Sequence, residues 1–275
     1  MMQLQIGFTT DNRKANFMKT TYRSLLEGGK AGKKFIGTYV MCQCEPWVEI
    51  MKMAGFDYLI MDLEHERLTM SEVMPMLYAC EACGMATVVR VPGVEEEYIK
   101  KALDMGASCI KVPDVRTAEQ ARRVVQYSKY PPQGQRGACP FVRGNQYGAD
   151  RQGCWERANR EIAVDILIEG EEGIANCGEI LAVEGIDSVS IGQVDLSVRL
   201  GVPGNVFHPR VIQGVLEVAD QCLKHDIQLS AQIVKPEDVK MYNNHPAITH
   251  FHTDLPQTIF YQACKGLCDQ LKANF

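Results

Sequence analysis

Eight short runs rich in apolar and β-branched residues recur along this chain, near positions 35–41, 58–62, 87–91, 109–112, 165–169, 188–192, 228–233 and 249–253. Between them the apolar residues repeat at helical spacing, as in Val73, Leu77 and Cys80 or Val211, Val215 and Ala219. Strands separated by helices pair in parallel through right-handed crossovers, because a hairpin cannot join parallel neighbours. Eight such strands can close into a ring without edges, so the pattern predicts a single-domain α/β chain folded as a (β/α)8 (TIM) barrel. A doubly wound open sheet is the alternative, but no Gly-x-Gly-x-x-Gly turn follows any strand run. The length fits: 275 residues compare with about 250 for one such barrel. Helix starts are marked by Thr69-x-x-Glu72 and Thr117-x-x-Gln120, both capping-box patterns, and by His208-Pro209.

The alternation occupies residues 16–275, with residues 1–15 read as an N-terminal extension. Phe17 to Leu26 reads as a short helix closed by Gly28-Gly29. Residues 130–160 form a long Gly/Pro/Arg-rich excursion, and loops of that length in compact domains are usually lids or binding loops. The tail predicts an extra C-terminal helix over 256–272, with Ile259, Ala263, Leu267 and Leu271 in one apolar row and Phe260, Cys264 and Cys268 in the next. A stripe that wide should pack on something, and a neighbouring subunit is the expected partner.

Composition limits the function classes. The formal net charge of −5 comes from charges of both signs spread along the chain, which argues against nucleic-acid or acidic-membrane binding and for a small-molecule ligand. No run approaches the roughly 18 apolar residues of a membrane span, and no signal pattern opens the chain, so a cytoplasmic location is expected. The 11 cysteines lie mostly in apolar segments and read as reduced, buried thiols. Cys80 and Cys83 have metal-site spacing but lack a second pair, and His250 and His252 alternate on a strand where wall packing explains them better than a shared metal.

Several strands deliver polar residues at their C-terminal ends. Tyr58 to Met61 leads to Asp62-Leu63-Glu64-His65, Thr87-Val88-Val89 to Arg90, Ile166-Leu167-Ile168 to Glu169, and Ile191-Gly192 to Asp195. In a parallel barrel all of these lie on one face, the face where barrel enzymes build their sites.

Asp62-Leu63-Glu64-His65, Val89-Arg90-Val91-Pro92, Leu103-Asp104-Met105-Gly106-Ala107, Tyr130-Pro131-Pro132 with Arg136-Gly137, Ile168-Glu169 and Asp195-Leu196-Ser197 together resemble the HpcH/HpaI aldolases. These are metal-dependent class II pyruvate aldolases related to citrate lyase beta chains and macrophomate synthase. The resemblance covers roughly 30–255 and implies a barrel that splits or joins 4-hydroxy-2-oxo acids through a pyruvate enolate. It implies that Glu169 and Asp195 hold a divalent cation (Mg2+, Mn2+ or Co2+), that Arg90 contacts the pyruvyl group, and that His65 and Asp104 form a proton-handling dyad. Asp62 would lie near the aldehyde, and backbone amides of the Gln193-Val194-Asp195 loop would cradle the substrate carboxylate. The partners implied are an oxo acid, an aldehyde and further copies of the chain, as a hexamer built from three dimers.

The chemistry of the residues agrees with these roles. Two carboxylates leave positions open on a hard cation for an oxo acid, a guanidinium forks onto an oxyanion, and an imidazole moves protons near neutrality. The chain departs from the family pattern at Leu167, where Gln is usual, at Gln193 and Val194, where Pro and Ala or Ser are usual, and at Glu66-Arg67-Leu68. Three alternatives remain: a related lyase or decarboxylase on oxaloacetate-like or acyl-CoA substrates, a non-catalytic barrel, and a Schiff-base aldolase using Lys111.

Overall fold

The computed structural model describes residues 20–65 and 67–275. The eight strands are β1 Phe35–Val40, β2 Tyr58–Asp62, β3 Ala86–Arg90, β4 Cys109–Val112, β5 Ala163–Ile168, β6 Ser188–Ile191, β7 Gln228–Gln232 and β8 Ile248–Thr253. Each pairs in parallel with the next and β8 closes on β1, so the sheet is a barrel in strand order. β5 begins earlier than its apolar run suggests because Ala163 takes its place in the ladder opposite Cys109.

Outside the barrel, Val89, Ile110, Val164, Ile166 and Val189 pack against helices such as Met70–Cys83 and Pro209–Lys224. Inside, Tyr58, Ile60, Ala86, Val88, Cys109 and Ala163 form a smaller cluster closed from below by Tyr22, Leu25 and Leu26. Thr69/Glu72 and Thr117/Gln120 form the expected capping boxes, and the His208 ring caps the helix that begins at Pro209.

Two boundary expectations change. The first described helix is Tyr22–Lys30, started by a Thr21/Ser24 capping box and running through Gly28 and Gly29 instead of stopping there. Gly29 serves close approach: a Cβ there would lie 2.3 Å from Gln228 Oε1, so glycine lets the helix seat on the barrel floor. Phe17 and the N-terminal extension lie outside the described residues, as does Glu66. The excursion 130–160 is not a lid over the catalytic end of its own barrel. It leaves the helix Ala118–Ser128 on the opposite side and packs there, with Arg143 Nη1 donating to the Met105 carbonyl at 2.9 Å and Asn145 donating to the Cys139 carbonyl at 2.8 Å.

The terminal helix Pro256–Lys272 leaves the barrel with only Pro256 buried, and Phe260 and Leu267 are 65% and 58% exposed. Among the described residues no helix is long and apolar enough to cross a membrane.

Candidate active site

Register builds the site. In-register residues of parallel neighbours share a face, and Asp62 pairs with Arg90, Arg90 with Lys111, Lys111 with Asp165, and Asp165 with Ser188. Because barrel strands are staggered, this inward row descends from the mouth at Asp62 to the floor at Ser188.

At the mouth, Arg90 forks onto Asp62 with Nε to Oδ1 at 2.8 Å and Nη2 to Oδ2 at 2.5 Å. Its third nitrogen, Nη1, is 3.1 Å from Glu64 Oε2, and the Asp62 Oδ1 also accepts the Glu64 amide at 2.9 Å. Burial lowers the Arg90 pKa, but Asp62, Tyr39 and Glu64 outweigh it, so the guanidinium stays charged. The Tyr39 ring lies 4.8 Å beneath that guanidinium. Below it, Lys111 donates to Ser190 Oγ at 2.8 Å and pairs with Asp165 at 3.3 Å, and Asp165 accepts from Ser188 and Ser190.

Lys111 is therefore no Schiff-base nucleophile. Burial pulls its pKa down, but Tyr39 and Asp165 more than offset this and hold the ammonium charged, whereas imine formation needs a neutral amine. His250 and His252 are buried and neutral: burial, then Lys111, lowers both pKa values, that of His250 to about 3. The His250 ring packs on Tyr22 and Phe35 and the His252 ring on Tyr39, so they are wall residues, not a metal pair. Cys80 and Cys83 lie on one helix as free thiols, Cys80 in the outer core.

Glu169, one residue past β5, is buried, and among the described residues its carboxylate makes no hydrogen bond or ion pair. Burial first, then Asp195, Glu64 and Asp114, push its pKa up to about 8, against the pull of Arg90. Glu64 is raised by the same kind of desolvation, partly relieved by Arg90 and His65. Asp195 sits in the first turn of the helix Gln193–Arg199, and the Gly192 amide donates to the Ile168 carbonyl at 3.0 Å, which fixes that turn beside Glu169. No three metal-type side chains cluster among the described residues, so a cation here would rest on Glu169 and Asp195 alone. The donor set fits one: a desolvated carboxylate without a partner, beside other acids, is what a hard dication relieves.

The other predicted residues divide. His65 lies at the mouth, half exposed, with Nε2 3.8 Å from Glu64 Oε2. Asp104 does not join it within one chain. It ends the helix Glu96–Asp104 at the far end of the barrel, where its carboxylate takes a hydrogen bond from Arg136 at 2.6 Å. The Gln193 side chain points away from the mouth, donating to the Val206 carbonyl at 3.2 Å and accepting from the Gln232 amide at 2.7 Å, while Val194 is exposed. The amides of Gln193, Val194 and Asp195 open a helix and have no intrahelical acceptors. Leu167 has the same parity as Asp165 and Glu169, belongs to neither core cluster, and lines the inner wall. Sequence reasoning missed Glu64 and Tyr39; Glu64 stood inside the motif, and Tyr39 on β1 carried no polar terminus to mark it.

A closed barrel whose C-terminal mouth gathers acids, a guanidinium and an imidazole has the build of a barrel lyase. The HpcH/HpaI aldolase/citrate lyase model matches residues 36–244. A 5-keto-4-deoxy-D-glucarate aldolase of Klebsiella pneumoniae is 38% identical over 177 residues, covering 64% of this chain and 69% of that protein. An HpcH/HpaI aldolase structure from Desulfitobacterium hafniense superposes with a TM-score of 0.85 at 25% identity, over 92% of this chain and 97% of that one. The citrate synthase SbnG superposes with a TM-score of 0.82 at 26% identity, over 93% and 99%. The chain belongs to the HpcH/HpaI aldolase/citrate lyase family and is a class II aldolase, a carbon–carbon lyase.

Proposed function

We propose that the enzyme is a divalent-metal-dependent aldolase that cleaves or forms 4-hydroxy-2-oxo acids, releasing or consuming a pyruvate-type oxo acid and an aldehyde. The observation that carries this reading is Glu169, a buried carboxylate with no hydrogen bond or ion pair among the described residues and a pKa pushed up to about 8. Glu169 and Asp195 would hold the cation. When bound, it supplies Lewis-acid stabilisation of the charge that carbon–carbon cleavage leaves on the oxo-acid fragment.

The chain's own residues do the rest. Arg90, fixed from two sides by Asp62 and Glu64 and from below by Tyr39, keeps a positive charge beside the oxo-acid position. The free amides at the start of the helix Gln193–Arg199 are suited to a carboxylate. His65 removes the proton of the 4-hydroxyl; the C3–C4 bond then breaks toward the oxo acid and C4 leaves as the aldehyde carbon. Within the chain its polar neighbour is Glu64. A dyad with Asp104 requires a second copy of the chain, and the uncovered face of Pro256–Lys272 supplies a surface for such an assembly.

Chelation should abolish pyruvate-dependent turnover, and Mg2+, Mn2+ or Co2+ should restore it. Glu169→Gln should weaken metal affinity and turnover together, and His65→Asn should lower kcat by at least about a hundredfold with less effect on oxo-acid binding. Full activity after exhaustive metal removal, or a covalent adduct trapped by borohydride with pyruvate, would overturn the reading.

A further inference from the structure

A buried ion pair inside the barrel has no part in the chemistry above. Lys111 and Asp165 face each other beneath the mouth, where two apolar side chains of similar volume would fill the space without desolvating any charge. The lysine does more than balance the aspartate. An ammonium carries three donors, and that of Lys111 meets Ser190 Oγ at 2.8 Å, lies 3.3 Å from Asp165 Oδ2 and donates to the Tyr39 hydroxyl at 3.5 Å. Ser190 and Asp165 are tied to each other, with Ser190 Oγ donating to Asp165 Oδ2 at 2.9 Å, so the ammonium has a fixed place in the wall.

Tyr39 links that ammonium to the mouth. Its ring centroid lies 5.4 Å from Lys111 Nζ and 4.8 Å from Arg90 Cζ, and the His252 ring meets it edge-on with centroids 5.5 Å apart. Arg90 is therefore held in two directions. Its hydrogen bonds to Asp62 act in the guanidinium plane, whereas the Tyr39 ring bears on the guanidinium face. A Tyr39 side chain turned away from Arg90 would also give up Lys111, so the ammonium below biases the ring toward the guanidinium above.

We propose that Lys111, acting through the Tyr39 hydroxyl, is a positioning residue for Arg90 and thereby strengthens binding of the oxo acid. This deepens the aldolase reading and rests on it. The ion pair in the wall then serves geometry at the mouth, which apolar side chains could not do because they offer no donor to the hydroxyl.

The test is a cycle between the two ends of the link, read as the dissociation constant of pyruvate by calorimetry with Mg2+ present and as KM and kcat. Tyr39→Phe keeps the ring and removes the hydroxyl. Lys111→Met/Asp165→Leu removes the ammonium without leaving its partner charged. Each should weaken pyruvate binding by about threefold to tenfold, the scale of one modest hydrogen bond, and should act on KM more than on kcat. The three substitutions together should weaken it no further, because both changes cut the same link. Unchanged binding in Tyr39→Phe, or losses that multiply in the combined variant, overturns the proposal. So does a loss confined to Tyr39→Leu, since the ring would then support Arg90 without help from below. If the wild type neither binds nor turns over pyruvate, the aldolase reading fails instead. The link is then judged by crystal structures of the same variants, where displacement of Arg90 in both supports it and an unmoved Arg90 overturns it.

Discussion

Lys111→Met is the substitution whose outcome the barrel interior determines most sharply. Lys111 and Asp165 are 1% and 0% exposed at the side chain and 3.3 Å apart. With an effective dielectric constant near 20, two unit charges at 3.3 Å attract by about 5 kcal/mol. Both have been taken out of water, so the pair contributes much less net stability than that attraction. Removing one partner exposes the other term. Asp165 would keep its hydrogen bonds from Ser188 Oγ at 2.7 Å and Ser190 Oγ at 2.9 Å but lose the counter-charge of Lys111, and breaking a buried pair costs about 3–5 kcal/mol. Lys111→Met should therefore lower the urea midpoint by an amount equivalent to that range. Lys111→Met/Asp165→Leu should recover much of the loss, because the double change removes both desolvated charges. A double-mutant cycle followed by circular dichroism measures the coupling. A cost below about 1 kcal/mol for Lys111→Met, or strictly additive losses, would refute the argument that the two charges depend on each other. The folded single variant should still turn over at a reduced rate, whereas a Schiff-base lysine could not be replaced at all.

Acid should destabilise the fold through His250 and His252. Each has a folded pKa below its unfolded value of 6.5, about 3 for His250, so the unfolded chain binds more protons in that window and stability falls as pH drops from about 6.5 toward 3. For His250 alone 3.5 units correspond to about 5 kcal/mol, and His250→Phe should flatten the dependence of urea midpoint on pH; an equally steep profile would exclude His250 as its source. Deleting residues 256–275 should shrink the particle in light scattering and lower turnover, since both a hexameric assembly and an Asp104 contribution across subunits depend on contacts between copies; an unchanged particle size rejects the role given to that helix.

Strand positions were legible because several strands are apolar runs bounded by a polar terminus, as in β2, β3 and β5, and because parallel barrels are buried on both faces. Glu169 and Arg90 were legible for the same reason, since a charge that ends a buried run has one place to go. That Asp104 does not meet His65 within one chain was not legible, because a motif records which residues accompany one another, not whether they meet in the same chain. It ends a helix that runs away from the mouth, and its partner there is Arg136. The Gln193 side chain was not legible either: its hydrogen bonds go to Val206 and Gln232, neighbours that only the folded chain brings near. Lys111 looked reactive because a lone lysine in a strand suggests a desolvated amine. The residue that changes this reading, Asp165, lies one strand away in register and 54 positions along the chain.

That register also explains why the mouth and the floor differ in charge. Below Tyr39 the lysine and the aspartate cancel within the wall, so the interior places no net demand on a ligand. Above it Asp62, Glu64, Glu169 and Asp195 gather near the guanidinium of Arg90, whose fork is taken by Asp62 and whose remaining nitrogen turns to Glu64. Among the described residues Glu169 is a buried acid with no ion pair, and with its pKa pushed up to about 8 it tends to keep a proton at neutral pH. A bound cation would compete with that proton for one carboxylate. Glu169→Gln resembles the protonated form in charge and shape, so the fold should tolerate it while the cation should not. On the proposed reading the polarity of the barrel interior would direct a cation to one position on the rim, next to the amides that open the helix Gln193–Arg199.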